Sequence, residues 1–258
     1  VPLADIVKKL FGPNTSFRAA KRKFRTSRII QVHGRFGWNR YDVNSSGLVQ
    51  HKDPLWHRER CVRDPLKVQL EELEQFSESH DRNTTDRSRM MLNITRDTGE
   101  FLSVLVRATG ARRVLELGTS NGYSTLWLAS AARASGGLVT TVEVSDFKIG
   151  LASSNFAKSG LASSIALLHE DAGSVLARAA ADSFDFVFMD TDRSRYVSWW
   201  PELKRILRVG AVLVADNATT HPQELAAFIE LINTDSAFAT CVVPVGNGEF
   251  IAVKALGA

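Results

Sequence analysis

Five short apolar runs in the second half of the chain each finish at or beside an acidic residue, and a stretch of helical spacing separates each from the next. The runs are RVLEL (113–117), LVTTVEV (138–144), SIALLHE (164–170), FDFVFMD (184–190) and AVLVADN (211–217). Their acids are Glu116, Glu143, Asp171, Asp190 and Asp216, and the intervening helical stretches lie near 122–134, 146–159, 172–181, 196–208 and 221–233. Buried strands alternating with helices require right-handed crossovers, and therefore a mostly parallel sheet covered on both faces. The carboxyl ends of such strands line one crevice, where open α/β folds bind ligands. Acids repeated along it predict a ligand with several hydroxyls, an ammonium group or a bound metal.

The alternation has a preface and a coda. PLKVQLEELEQFSESH places Leu66, Leu70, Leu73 and Phe76 at helical spacing behind Asp64 as cap and Pro65 in the first turn. A second amphipathic helix is expected from about Thr95, with Phe101, Leu102, Leu105 and Val106 as its buried stripe and Gly110 as its stop. At the other end FATCVVPV and GEFIAVK flank Gly246–Asn247–Gly248, which predicts an antiparallel pair added at the sheet edge. No repeat of solenoid period is present.

Charge divides the chain. Residues 1–60 hold 13 of the 32 Lys/Arg and 4 of the 28 Asp/Glu, leaving 19 basic against 24 acidic residues beyond. The basic character therefore belongs to the N-terminal segment, and the remainder has no general nucleic-acid signature. Residues 12–60 show no sustained periodicity and are read as a weakly ordered extension, so the division is a basic arm over 1–60 and a main domain over 61–258. KRKFR at 21–25 and His33, His51 and His57 are read as solvated. Cys61 and Cys241 have neither metal-ligand spacing nor a disulfide framework, which points to a reducing, cytoplasmic setting. No run approaches the roughly 18–20 apolar residues of a membrane span, and Asp5, Lys8 and Lys9 interrupt any secretory-type run, so no membrane partner is expected.

The loop after the first run, Gly118 to Ser124, sets Gly118 directly behind a strand and Gly122 at a helix start. Backbone brought close to a ligand at a helix N-terminus suits a carboxylate or phosphate. A dinucleotide fingerprint would need Gly where Ser120 stands, which disfavours a dehydrogenase. Glu143, closing the second run, is placed to accept both hydroxyls of a ribose.

VLELGTSNGYSTLWLA, TTVEVSDFKIGLASSNFAKSGL, FDFVFMDTDRSRY and LRVGAVLVADN together resemble the S-adenosylmethionine-dependent O-methyltransferases of the catechol and caffeoyl-CoA type, over roughly residues 64–258. The resemblance implies a three-layer, Rossmann-like α/β fold with strand order 3-2-1-4-5-7-6, the last strand antiparallel, preceded by helices that close over the cofactor. It implies that Leu92, Asn93 and Ile94 cover the methionine end of S-adenosylmethionine and that Ser124 holds its carboxylate. Glu116, Gly118 and Thr119 become first-loop contacts, Glu143 the ribose ligand, Asp171 and Ala172 the adenine contacts, with Asp190 and Asp192 also beside the cofactor. Asp190, Asp216 and Asn217 match the ligands of a divalent cation, Mg²⁺ by preference, and their hard oxygen donors suit that ion. A homodimer acting on a small-molecule acceptor is also implied.

The sequence departs from the pattern in one place. The family sets a Lys, its presumed base, three residues after the first metal Asp, and this chain has Arg193 there. Arg stays protonated and cannot remove a proton. Arg193 is therefore expected to stabilise a phenolate or to hold an acidic substituent, with the proton passing to solvent or to His221. Asp190, Arg193 and His221 are the catalytic candidates, although His221 also reads as the cap of the helix beginning HPQELAAF. Trp199 and Trp200 are expected to pack their helix or a subunit contact, and Glu249 to be an exposed turn acid. The expected function is methyl transfer to a hydroxyl of a small, catechol-like acceptor. Its rivals are an RNA methyltransferase guided by the basic arm and a cofactor-binding protein without catalysis.

Overall fold

A computed structural model describes residues 29–34, 37–43, 49–52 and 64–255. The chain divides into two units, residues 1–63 and 64–258. In the first, strands β1 (Ile29–Gly34), β2 (Gly37–Val43) and β3 (Val49–Lys52) form an antiparallel sheet, with Gly34 opposite Gly37 and Arg40 opposite Lys52. Strand structure thus occurs inside the segment read as weakly ordered; short strands closed by local turns leave little periodic signal. The run at 21–25 and His57 lie outside the described residues.

The second unit opens with α1 (Pro65–Asn83), capped by Asp64, whose carboxylate accepts from the Leu66 amide at 3.1 Å. Helix α2 (Arg96–Thr109) begins behind Thr95, whose hydroxyl accepts from Thr98 N, and stops at Gly110 in the left-handed conformation. Then come β4 (Arg113–Leu117), α3 (Tyr123–Ala134), β5 (Leu138–Glu143), α4 (Asp146–Ser159), β6 (Ile165–His169), α5 (Ala172–Arg178) and β7 (Phe184–Met189). Helix α6 (Tyr196–Ile206), β8 (Leu207–Ala215), α7 (Pro222–Asn233), β9 (Phe238–Val243) and β10 (Glu249–Lys254) complete the chain.

The seven-stranded sheet runs β6-β5-β4-β7-β8-β10-β9. Its first five strands are parallel, and β10 enters antiparallel between β8 and β9, which is the order the resemblance implied. Alternation along each strand fills two cores. Leu115, Val187, Met189, Leu213 and Ala215 face α5, α6 and α7, whereas Val114, Phe186, Phe188, Val212 and Val214 face α1 to α4. Trp199 and Trp200 belong to the first of these cores, where Trp200 meets Phe228 and Phe238 edge-on. Strand β8 starts four residues earlier than its sequence suggested, because Leu207 pairs with Phe184 before an irregularity resets the register at Val212. Among the described residues no helix is long and apolar enough to cross a membrane.

Candidate active site

The carboxyl ends of β4, β5 and β7 open into a cleft of about 620 Å³, covered on one side by the segment between α1 and α2. Its floor is the loop after β4. Gly118 has φ 103°, and a Cβ there would stand 2.1 Å from the Asp190 carbonyl oxygen, so only glycine lets β4 and β7 run this close beside the cleft. Ser120, also at positive φ, gives its hydroxyl to the Met91 carbonyl at 2.7 Å and its amide to Glu143 Oε2 at 3.0 Å.

Glu143 is held from both sides. Its Oε1 accepts from the amides of Val144 and Ser145 at 2.9 and 3.0 Å, which fixes the carboxylate at the cleft wall with lone pairs to spare. Two vicinal hydroxyls are the natural partners for a carboxylate fixed in this way.

The covering segment, Met91 to Ile94, is fastened by residues that sequence reasoning did not single out. The Asp81 carboxylate accepts from Met91 N at 2.8 Å and from Leu92 N at 2.9 Å, holding Leu92 at φ 50°. Ser77 Oγ accepts from Asn93 Nδ2 and from Asn121 Nδ2, tying cover and floor to one hydroxyl. Leu92, Asn93, Ile94, Gly118, Thr119, Ser124, Glu143, Asp190 and Asp192 all line the cleft. The Thr119 hydroxyl nevertheless turns inward to Thr141, and Asp192 caps Ser194.

Three expected cofactor contacts lie away from the cleft lining. Glu116 is fully buried beneath α3, where the hydroxyls of Thr125 and Thr141 donate to its Oε2 while Oε1 has no hydrogen-bond partner. Burial pushes its pKa up to about 7 against the downward pull of the Ser124, Thr125 and Thr141 hydroxyls. Asp171 caps α5 through Ser174 N and pairs with Arg195 at 2.9 Å, and Ala172 is buried behind it.

A family profile described as O-methyltransferase matches residues 66–255. The chain belongs to the O-methyltransferase family. Members of this family are S-adenosylmethionine-dependent enzymes, and this chain is one of them. A catechol O-methyltransferase of Mycobacterium tuberculosis is 37% identical over 124 residues, which are 48% of this chain and 56% of that protein. The O-methyltransferase of Bacillus cereus, solved in complex with SAH, superposes with TM-score 0.62 at 28% identity over 77% of this chain and 96% of that one. TomG of Streptomyces achromogenes, an O-methyltransferase involved in tomaymycin synthesis and solved with S-adenosylmethionine, gives TM-score 0.60 at 25% identity, covering 78% and 95%.

In this O-methyltransferase the ends of β7 and β8 bring Asp190, Asp216 and Asn217 together. Asn217 Nδ2 lies 3.5 Å from Asp190 Oδ1, and Asn217 N donates to Asp216 Oδ1 at 2.7 Å from a backbone at φ 73°. Burial, joined by the charge of Asp216, drives the Asp190 carboxyl well above the usual range, and burial also raises Asp216. Glu249 is buried here rather than exposed at its turn. It accepts from Thr98 Oγ1 at 2.9 Å and meets the Asp216 carboxyl, and its Oε2 lacks a hydrogen-bond donor in the geometry found. Among the described residues no three His, Cys, Asp or Glu side chains form a ligand group; the third donor here is the Asn217 amide. Crowded carboxyls, an amide oxygen and an orphaned buried acceptor form a donor set that a hard divalent cation fits.

Arg193 does not stand free. Its Nε donates to Glu224 Oε2 at 2.8 Å across to α7, an ion pair between residues 31 apart that no sequence pattern announced. His221 occupies the N-cap position of α7 without capping it, and its Nδ1 lies 3.1 Å from the Thr220 hydroxyl. It does not line the cleft.

Proposed function

We propose that this enzyme methylates one hydroxyl of a small, catechol-like acceptor, with a divalent cation held by Asp190, Asp216 and Asn217. The observation that carries the reading is the convergence of those three side chains at the strand ends beside the fixed carboxylate of Glu143. The name of the Mycobacterium tuberculosis relative supports the acceptor class. When bound, the cation would lower the pKa of a coordinated hydroxyl and fix its neighbour, while S-adenosylmethionine supplies an already activated methyl group.

The protein's own part is then largely positioning. Glu143 takes the ribose, Asn93 and Ile94 cover the methionine end, and Ser124 at the start of α3 receives its carboxylate. Arg193, permanently charged, stabilises negative charge on the acceptor oxygen and holds no proton to exchange. The proton passes to solvent or to His221, whose charge is felt by Glu224 on the same rim.

Turnover of catechol with S-adenosylmethionine, measured with Mg²⁺ and with chelator, tests the reading. Magnesium-dependent methylation that falls at least about 100-fold in Asp216→Asn, with binding of S-adenosylhomocysteine retained, is the expected result. Equal rates in chelator would remove the metal from the proposal.

A further inference from the structure

The α7 side of the cleft carries more positive charge than a neutral catechol needs. Arg193 contributes only Nε to Glu224, and its terminal nitrogens have no hydrogen-bond partner among the described residues. Its side chain is 14% exposed, so these donors are largely withdrawn from water and directed into the protein rather than into solvent. Arg87, from the single turn Arg87–Arg89 that leads into the covering segment, lines the same cleft and likewise has no side-chain partner among the described residues. The two guanidinium groups act on the same acid: Arg193, through its hydrogen bond and its charge, then His221 and Arg87 hold Glu224 below the usual carboxylate range. Lys148 adds a third cation to the cleft lining.

Two arginines facing one carboxylate leave the rim with an unmatched positive charge. A cationic acceptor would be repelled there, and a neutral one would leave the guanidinium donors unused. A carboxylate would satisfy them, because its two oxygens match the planar fork of a guanidinium. The cleft of about 620 Å³ must take cofactor and acceptor together, which favours a compact anion on the ring itself. We propose that the acceptor is a dihydroxylated aromatic carboxylate, whose acid group is bound by Arg87 and Arg193, with Glu224 holding Arg193 in place until the acceptor arrives. The inference rests on the methyl-transfer reading above and narrows its substrate class.

The test compares kcat/KM for 3,4-dihydroxybenzoate, catechol and dopamine at saturating S-adenosylmethionine and Mg²⁺, in the wild type, Arg87→Gln and Arg87→Lys. The readout is the benzoate-to-catechol ratio within each protein, which cancels any loss common to both acceptors. The wild type is expected to favour the benzoate at least tenfold over catechol and to use dopamine least. Arg87→Gln should bring the ratio to within about threefold of unity, and Arg87→Lys should keep part of it. Arg87 is exposed on a short turn, and titration with S-adenosylhomocysteine verifies the fold of each variant. Turnover of none of the three acceptors refutes the catechol reading itself. Turnover of all three with a wild-type ratio near unity, or a ratio unchanged in Arg87→Gln, leaves that reading standing and overturns this one.

Discussion

The clamp on the covering segment yields a prediction with a definite size. Asp81 spends both carboxylate oxygens on the amides of Met91 and Leu92, and it does so to hold Leu92 in a left-handed conformation. That conformation costs a non-glycine residue about 1–2 kcal/mol, so the segment would relax without its partner. A hydrogen bond to a charged group contributes about 1.5–3 kcal/mol, and the half-buried Asp81 belongs near the lower figure. Asp81→Asn keeps one acceptor oxygen and loses about 1.5 kcal/mol, whereas Asp81→Ala loses about 3 kcal/mol. If the cofactor binds only beneath the ordered segment, these losses become at most about 10-fold and 100-fold increases in its Kd. They are ceilings, since weakening the clamp lowers affinity only once the open segment becomes populated. Calorimetric titration of S-adenosylhomocysteine reads the effect, and KM for S-adenosylmethionine should rise in step while kcat at saturation changes little. Asp81→Ala with wild-type affinity and a wild-type KM would refute the argument that cover and cofactor are coupled.

Two further predictions concern stability. Glu116 has its folded pKa raised to about 7 from 4.5 by burial, so its contribution is fully present below about pH 4.5 and is lost as pH rises through 7. Glu116→Gln should therefore flatten the fall in Tm of the cofactor-free protein between pH 6 and 8.5; a parallel fall in both proteins would count against a buried, titrating carboxyl. Asp185 has the opposite sign. Burial alone would raise its pKa, but Arg208, the amides of Arg112 and Arg113, and the Arg113 side chain hold it at about 2. Its contribution of about 2 kcal/mol is present above pH 4 and is lost as pH falls through 2. Urea unfolding of Asp185→Asn should show that deficit at pH 7 and a smaller one near pH 3.

What could be read from the sequence was whatever repeats at short range. Phe186 and Phe188 go to one core and Val187 and Met189 to the other because successive strand residues point to opposite faces, and the run FDFVFMD states as much. Gly118 and Glu143 were legible for a similar reason, since strand ends and tight turns constrain residue type locally. The start of β8 was not, because its register is reset at Val212 within a stretch whose spacing also suits a helix.

Long-range electrostatics decided the rest. Glu249 beside two glycines reads as an exposed turn acid, yet insertion of β10 next to β8 brings it against Asp216 and under Thr98, 151 residues away. Arg193 reads as an unpaired substitute for a base, yet α7 returns Glu224 to it. Asp81 and Ser77 sit among the polar residues of an amphipathic helix, where nothing separates a solvated side chain from one that fastens a loop. In each case the residue type was visible and its partner was not, and the partner determines the role. A guanidinium alone in this cleft would be a fixed positive field on the reacting oxygen. Tethered through Nε to a carboxylate that is itself half-exposed, with its remaining donors unspent, it is an anion site held ready by a displaceable acid. The replacement of Lys by Arg therefore does more than remove a base: it changes what the rim of the cleft can recognise.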